Sequence, residues 1–118
     1  MLMNSRAKAL LAARAAEERK AKDVTVLDIR RLSPFCDFFV IAGGSSGIQV
    51  KAIAEMVESK LSEAGFPLDH REGHGETGWI LLDYGDVVIH VFYEEQRSFY
   101  DLERLWGDAK RVEFAGGK

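Results

Sequence analysis

Trp79-Ile80-Leu81-Leu82-Asp83-Tyr84-Gly85-Asp86-Val87-Val88-Ile89-His90-Val91-Phe92 is a pair of apolar runs broken at Tyr84-Gly85, and its reading decides the fold. β-branched and aromatic runs on either side of a glycine turn predict an antiparallel hairpin. A two-residue turn at Tyr84-Gly85 sets Asp83 opposite Asp86, Leu82 opposite Val87, Leu81 opposite Val88, Ile80 opposite Ile89 and Trp79 opposite His90, because loop length fixes register. One face of this ribbon is then aliphatic: Ile80, Leu82, Val87, Ile89 and Val91. The other carries Trp79, Leu81, Asp83, Asp86, Val88, His90 and Phe92. The first belongs on helices and the second is expected to be half-exposed. Opposed Asp83 and Asp86 would repel and would want a cation, solvent or donors. Beyond the hairpin, Glu94 to Trp106 interleaves aromatics with carboxylates and predicts one or two short helices. Leu102, Leu105 and Trp106 are expected to seal the domain. Aromatics mixed with acids, without an evident catalytic set, point to a surface that docks.

Upstream, residues 5 to 21 are strong helix formers with Leu10, Leu11 and Ala15 on a narrow apolar stripe. Val24 to Ile29 and Phe38 to Ala42 read as strands. Gly43-Gly44-Ser45-Ser46-Gly47 breaks the chain, and Ile48 to Ala64 predicts an amphipathic helix with Ile48, Ala52, Ile53, Met56, Val57 and Leu61 inward, ended by Gly65. A short strand over Leu68 to Glu72 and a glycine-rich loop from Gly73 to Gly78 lead into the hairpin. The division expected is an N-terminal helix over 1–22, a domain over 23–110 and a tail over 111–118.

A chain of 118 residues fits one domain with a real core. Its charge of −3 is uneven: residues 1 to 22 hold six Lys/Arg against two acids, and the remainder ten against seventeen. An acidic body disfavours a broad nucleic-acid footprint and suits a basic protein partner. Cys36 stands alone, which excludes an intramolecular disulfide and favours a reducing compartment. Beside Phe35 and Phe38 it reads as a small buried hydrophobe. No apolar run reaches the roughly 20 residues of a membrane span. The Ala- and Arg-rich start could be a transit peptide, but Glu17 and Glu18 favour a native helix.

Each catalytic candidate has a plainer alternative. The Gly43 to Gly47 turn could offer amides to a phosphate, yet it lacks the lysine of a phosphate loop, and a helix N-cap at Ser45 or Ser46 is preferred. His70 and His74 have ligand spacing only on a helix, which Gly73 and Gly75 oppose. Asp69, Glu72, Asp83 or Asp86 could hold Mg²⁺, but lone carboxylates on loops and turns usually cap or are solvated. No metal and no cofactor are expected.

The segments Asp23 to Ile29, Asp37 to Ala42, Gln49 to Ala54, Gly78 to Phe92 and Arg97 to Trp106 follow one another in an order and with wording that resembles the ribosomal silencing factor family, also called Iojap-like proteins. The resemblance spans about residues 20 to 110. Ile48 stands where family members often carry Arg, and Phe38 where Tyr is common. The resemblance implies an α/β (α+β) fold: a single compact domain with a mixed sheet of about five strands, flanking helices and nucleotidyltransferase-like topology without the catalytic carboxylates. It further implies a cytoplasmic translational repressor, often a homodimer when free, that binds the large ribosomal subunit through its fourteenth ribosomal protein and obstructs joining of the small subunit. No membrane and no sequence-specific nucleic acid enter. The implied partner-binding set is Trp79 as apolar anchor, Leu81 and Val88 around it, Asp83 and Asp86 as acceptors for Lys or Arg, with Tyr84 at the hairpin tip and His90. Two alternatives stay open. One is a Mg²⁺-dependent nucleotidyltransferase-like enzyme using the Gly43 to Gly47 turn with Asp69, Glu72 or Asp83; the other is a dimerisation module.

Overall fold

The computed structural model describes residues 4–74, 78–93 and 110–112. The helices expected over 94–106 and the tail from Ala115 lie outside these residues. The elements in chain order are α1 (Ser5–Glu18), β1 (Lys22–Asp28), β2 (Phe38–Gly44), α2 (Gly47–Glu63), β3 (His70–His74), β4 (Trp79–Asp83), β5 (Val87–Tyr93) and β6 (Lys110–Arg111). The six strands form one mixed sheet in the order β3-β4-β5-β2-β1-β6. Only β2 and β5 run parallel among its neighbouring pairs; the other four pairs are antiparallel. The expected α+β architecture holds, with a sixth, two-residue strand added.

α1 starts where the Asn4 side chain accepts the Ala7 amide at 2.8 Å, which satisfies one of the donors a helix start leaves open. Its buried stripe is alanine: Ala9, Ala12, Ala13, Ala15 and Ala16, each 0–1% exposed. Leu10 and Leu11 are only partly buried at its margin. Small side chains let α1 lie close on α2 and on β1 and β2. Lys8 is the exception in this stripe. Its Nζ sits 2.6 Å from Asp86 Oδ1, donates to the Tyr84 carbonyl at 3.5 Å and lies 4.8 Å from the Phe66 ring centre. Ser5 Oγ donates to Asp37 at 2.7 Å. Both bonds tie α1 to the hairpin end of the sheet, so the N-terminal helix shares the core of the body that follows it.

α2 is capped by Ser46, whose Oγ accepts the Gln49 amide at 3.1 Å. Val50, Ile53, Ala54, Val57 and Leu61 face inward. Ile48 was expected among them and is instead 85% exposed. It lies two residues, roughly 200° around the helix, from Val50. Gly65, with φ of 89°, ends the helix as expected.

The hairpin keeps its expected faces on a different register. Asp83 pairs with Val88, Leu82 with Ile89, Leu81 with His90, Ile80 with Val91 and Trp79 with Phe92. The two-residue tip is Gly85-Asp86, closed by the Tyr84 amide donating to the Val87 carbonyl at 2.9 Å. Gly85 takes φ of 87° at the first tip position, where a two-residue turn needs it. Moving the tip by one residue moves every partner by two, and an even shift leaves each side chain on its side. Ile80, Leu82, Val87, Ile89 and Val91 are all fully buried against α1 and α2. Asp83 and Asp86 are not opposed.

Gly73, expected in a loop, lies within β3 at φ of 80°. A Cβ there would stand 2.0 Å from the Trp79 carbonyl oxygen, so only glycine lets β3 close on β4. Gly73→Ala is expected to lower stability by about 2 kcal/mol, read from the urea midpoint. A loss under roughly 0.5 kcal/mol would mean that the edge strand relaxes freely.

Candidate docking face

The sheet has two unlike sides. Phe38, Val40, Ala42 and the aliphatic hairpin residues pack under the helices. The outer side gathers a second cluster, Leu27, Ile29, Cys36, Ile41 and Phe92, with Phe39, Trp79 and Val88 partly buried against it. No residue of α1 or α2 belongs to this outer cluster.

Strand pairing orders the outer face into rows. Asp83, Val88, Phe39, Leu27 and Arg111 are successive partners across five strands. Glu72, Leu81, His90, Ile41 and Thr25 form the next row. His74, Trp79, Phe92 and Gly43 form the third. Of the seven residues in the expected partner-binding set, Trp79, Leu81, Asp83, Val88 and His90 share this face. Tyr84 does not: it is 5% exposed and packs with the helix-side core, where burial pushes its phenol up to about 12. Asp86 is turned to Lys8 on the helix side. Both departures follow from the tip lying at Gly85-Asp86, which places Tyr84 on the inward phase of β4.

Trp79 joins a series of rings. It stacks on Phe92 with centroids 6.4 Å apart and planes 18° apart, and His90 stacks on Phe92 at 6.1 Å and 8°. Phe39 meets His90 edge-on at 5.0 Å. His90 is 7% exposed, and neither of its ring nitrogens has a hydrogen-bond partner among the described residues. Burial lowers its pKa to about 4, so at neutral pH it is an uncharged ring under the surface. Phe39 was missed as a site residue, although the alternation in Phe38-Phe39-Val40-Ile41 marks one inward and one outward aromatic. Trp79, Leu81, Asp83, Val88 and Phe39 are half-buried, which leaves an apolar surface rimmed by Asp83 and the exposed Glu72. Asp83 is held in place by accepting the Gly85 amide at 2.8 Å.

The catalytic candidates do not converge. Asp83 shares a row with Phe39, whereas the glycine turn begins at Gly43 at the far end of β2, four residues and roughly 13 Å along the strand. Asp69 lies at the Asp83 end, its amide bonded to the Asp83 carbonyl. At the turn itself, Gln49 Oε1 accepts both the amide and the hydroxyl of Ser45, at 2.6 and 2.7 Å. Its Nε2 donates to the Arg19 and Lys20 carbonyls. The turn is thus spent on locking α2 to the α1–β1 connection. His70 and His74 lie four apart on an extended strand, and His70 contacts Glu72 at 2.8 Å. No group of three or more His, Cys, Asp or Glu among the described residues could hold a metal ion. Cys36 is buried and donates to the Phe38 and Asp86 carbonyls; burial raises its thiol to about 11, unlike a nucleophile's. No helix among the described residues is long and apolar enough to cross a membrane.

The family model described as "Ribosomal silencing factor during starvation" matches residues 3–118. The ribosomal silencing factor RsfS of Bacillus subtilis is 42% identical over 107 residues, covering 91% of this chain and 91% of its own. The chloroplastic protein Iojap of Zea mays is 41% identical over 104 residues, covering 86% of this chain and 44% of its own. A crystal structure of a Chromobacterium violaceum protein superposes with a TM-score of 0.86 at 41% identity, covering 98% of this chain and 95% of that one.

Proposed function

Because the chain belongs to the ribosomal silencing factor family, we propose that it represses translation by binding the large ribosomal subunit through its fourteenth ribosomal protein and keeping the small subunit from joining. The observation that carries the reading is the outer sheet face, where half-buried Trp79, Leu81, Val88 and Phe39 form an apolar centre beside Asp83. Large apolar and aromatic groups with a polar rim are what a protein interface requires. The acidic body supplies the charge that complements a basic ribosomal protein and speeds their encounter.

Silencing on this reading is steric. The repressor acts by occupying an intersubunit surface, so no bond is made or broken and no cofactor takes part. Free of the ribosome, the chain is a homodimer in the cytoplasm. Support for a binding role over an enzymatic one comes from the distance between the glycine turn and the carboxylates, and from the Gln49 bonds that occupy the turn.

The two hairpin acids separate in the test. Asp83→Lys sets a cation against a basic partner and is expected to weaken binding to the isolated ribosomal protein about tenfold, with the fold intact. Asp86→Lys confronts Lys8 and is expected to lower stability by roughly 1 to 3 kcal/mol while changing affinity little. Calorimetric titration in EDTA beside urea denaturation reads both. Unchanged affinity for Asp83→Lys, or loss of wild-type binding on chelation, would contradict the proposal.

A further inference from the structure

One corner of the molecule runs against the charge of the body. The row that starts at His70 and passes through Asp83 ends, on the opposite edge of the sheet, at Arg111. Beside Arg111 on the edge strand β6 is Lys110, the partner of Asp28; both basic residues are exposed. The β1–β2 loop turns at this same end. Arg30, Arg31 and Leu32 line an open pocket of about 580 Å³ together with Asp28 and Lys110. Asp28 is the one carboxylate among the described lining residues, and Arg30 grips it with two bonds of 3.0 and 2.7 Å. That grip holds the Asp28 carboxyl below the usual carboxylate range. The pair is internally neutral, and among the described lining residues Arg31 and Lys110 add two positive charges.

The loop also presents apolar surface to solvent. Leu32 is 42% exposed and Phe35 is 88% exposed. Phe35 is not at the end of a loose tail: its amide donates to Ser33 Oγ at 3.1 Å, in a loop bonded at both ends. The Ile29 amide donates to the Asp37 carbonyl, and the Asp37 amide to the Asp86 carbonyl, at 2.9 and 2.8 Å. An exposed aromatic ring on the same loop as exposed Arg31, with Lys110 on the edge strand beside that loop's pocket, is the kind of pairing that takes an unstacked base and its phosphates.

We propose that this corner, Arg31 and Lys110 with Phe35, binds ribosomal RNA on the large subunit beside the ribosomal protein that meets the outer face. The inference rests on the ribosome reading above. It divides one continuous surface by charge: the part around Asp83 and Glu72 meets a basic protein, and the basic end at β6 meets phosphate. Phe35 stacks on a base, and the two cations neutralise flanking phosphates.

The test compares two probes, purified large subunits and the isolated fourteenth ribosomal protein, across a potassium chloride titration. The variants are R31E/K110E and Phe35→Ala, both on exposed side chains, with circular dichroism melts to verify folding. For large subunits the double variant is expected to bind at least about tenfold more weakly at low salt. Its slope of log affinity against log salt should be shallower by roughly 1.4 to 1.8, two phosphate contacts' worth. Phe35→Ala should weaken subunit binding about fivefold or more. Affinity for the isolated ribosomal protein should stay within about twofold for both. Equal losses on the two probes would assign the corner to the protein dock, and a change in oligomeric state without a change in subunit affinity would assign it to a second copy; either overturns the proposal. Unchanged subunit affinity and slope overturn it as well. Failure of the wild-type chain to bind large subunits at all would be the distinct result that removes the ribosome reading and this inference together.

Discussion

Trp79→Ala is expected to weaken binding to the isolated ribosomal protein by about thirtyfold or more, the equivalent of roughly 2 kcal/mol. Trp79 occupies the outer face in the row of His74, Phe92 and Gly43, half-buried, with its indole stacked on Phe92. A partner that covers it removes the remaining indole surface from water, which is how tryptophan comes to dominate interface energetics. The same stacking means that truncation also disturbs the ring series inside the domain. Stability should therefore fall too, by less than the roughly 3 to 5 kcal/mol of a fully buried aromatic. Trp79→Phe separates the two effects: it keeps a ring on Phe92 and should recover most of the stability while recovering only part of the affinity. Affinity unchanged in Trp79→Ala would place the dock elsewhere.

Stability is expected to drop by roughly 3 kcal/mol as pH is lowered from about 6.5 to about 4, and His90 is the cause. Burial lowers its pKa from the 6.5 of a free imidazole to about 4. Between those values the unfolded chain binds a proton that the folded chain excludes, so the unfolded state gains on acidification. The contribution is fully present above pH 6.5 and is lost as pH falls through the folded value, at about 1.36 kcal/mol per unit. His90→Phe keeps a flat ring in the stack with Phe92 and removes the titration. Urea midpoints from pH 7.5 to 4 should show a slope in the wild type that the variant lacks over this window. Parallel curves for the two proteins would refute the assignment.

The hairpin shows what alternation can and cannot say. Its inward and outward faces were legible because side chains alternate with a period of two, and they survived a register error because the error was even. The tip itself was misplaced: it takes Gly85 at its first position, where φ is 87°, and Asp86 at its second, where Lys8 reaches it from α1. That contact joins residues 78 apart, and no local pattern reveals it. A lysine on a predicted helix ordinarily faces water, so Lys8 in the core stripe was equally hidden. β3 was expected over Leu68 to Glu72 and lies two residues later, with Leu68 drawn against the helix-side core. The glycine that looked like a loop signal at position 73 is a close contact within a strand. β6 has two residues, both basic, and a segment that short carries no periodicity at all. The candidate docking face was half legible for the same reason: Trp79, Leu81, Asp83, Val88 and His90 follow from one hairpin, whereas Phe39, Leu27 and Ile41 join them only through pairing between distant strands.

The central claim is that this chain engages the large subunit and thereby prevents joining. Sedimentation of the wild-type chain with separated ribosomal subunits, followed by mixing of the subunits, tests it in one preparation. The account predicts that the chain sediments with large subunits and not with small ones, and that the fraction of joined ribosomes falls as the chain is added, with neither subunit chemically changed. Equal sedimentation with both subunits, or binding to large subunits that leaves joining unaffected, would contradict it.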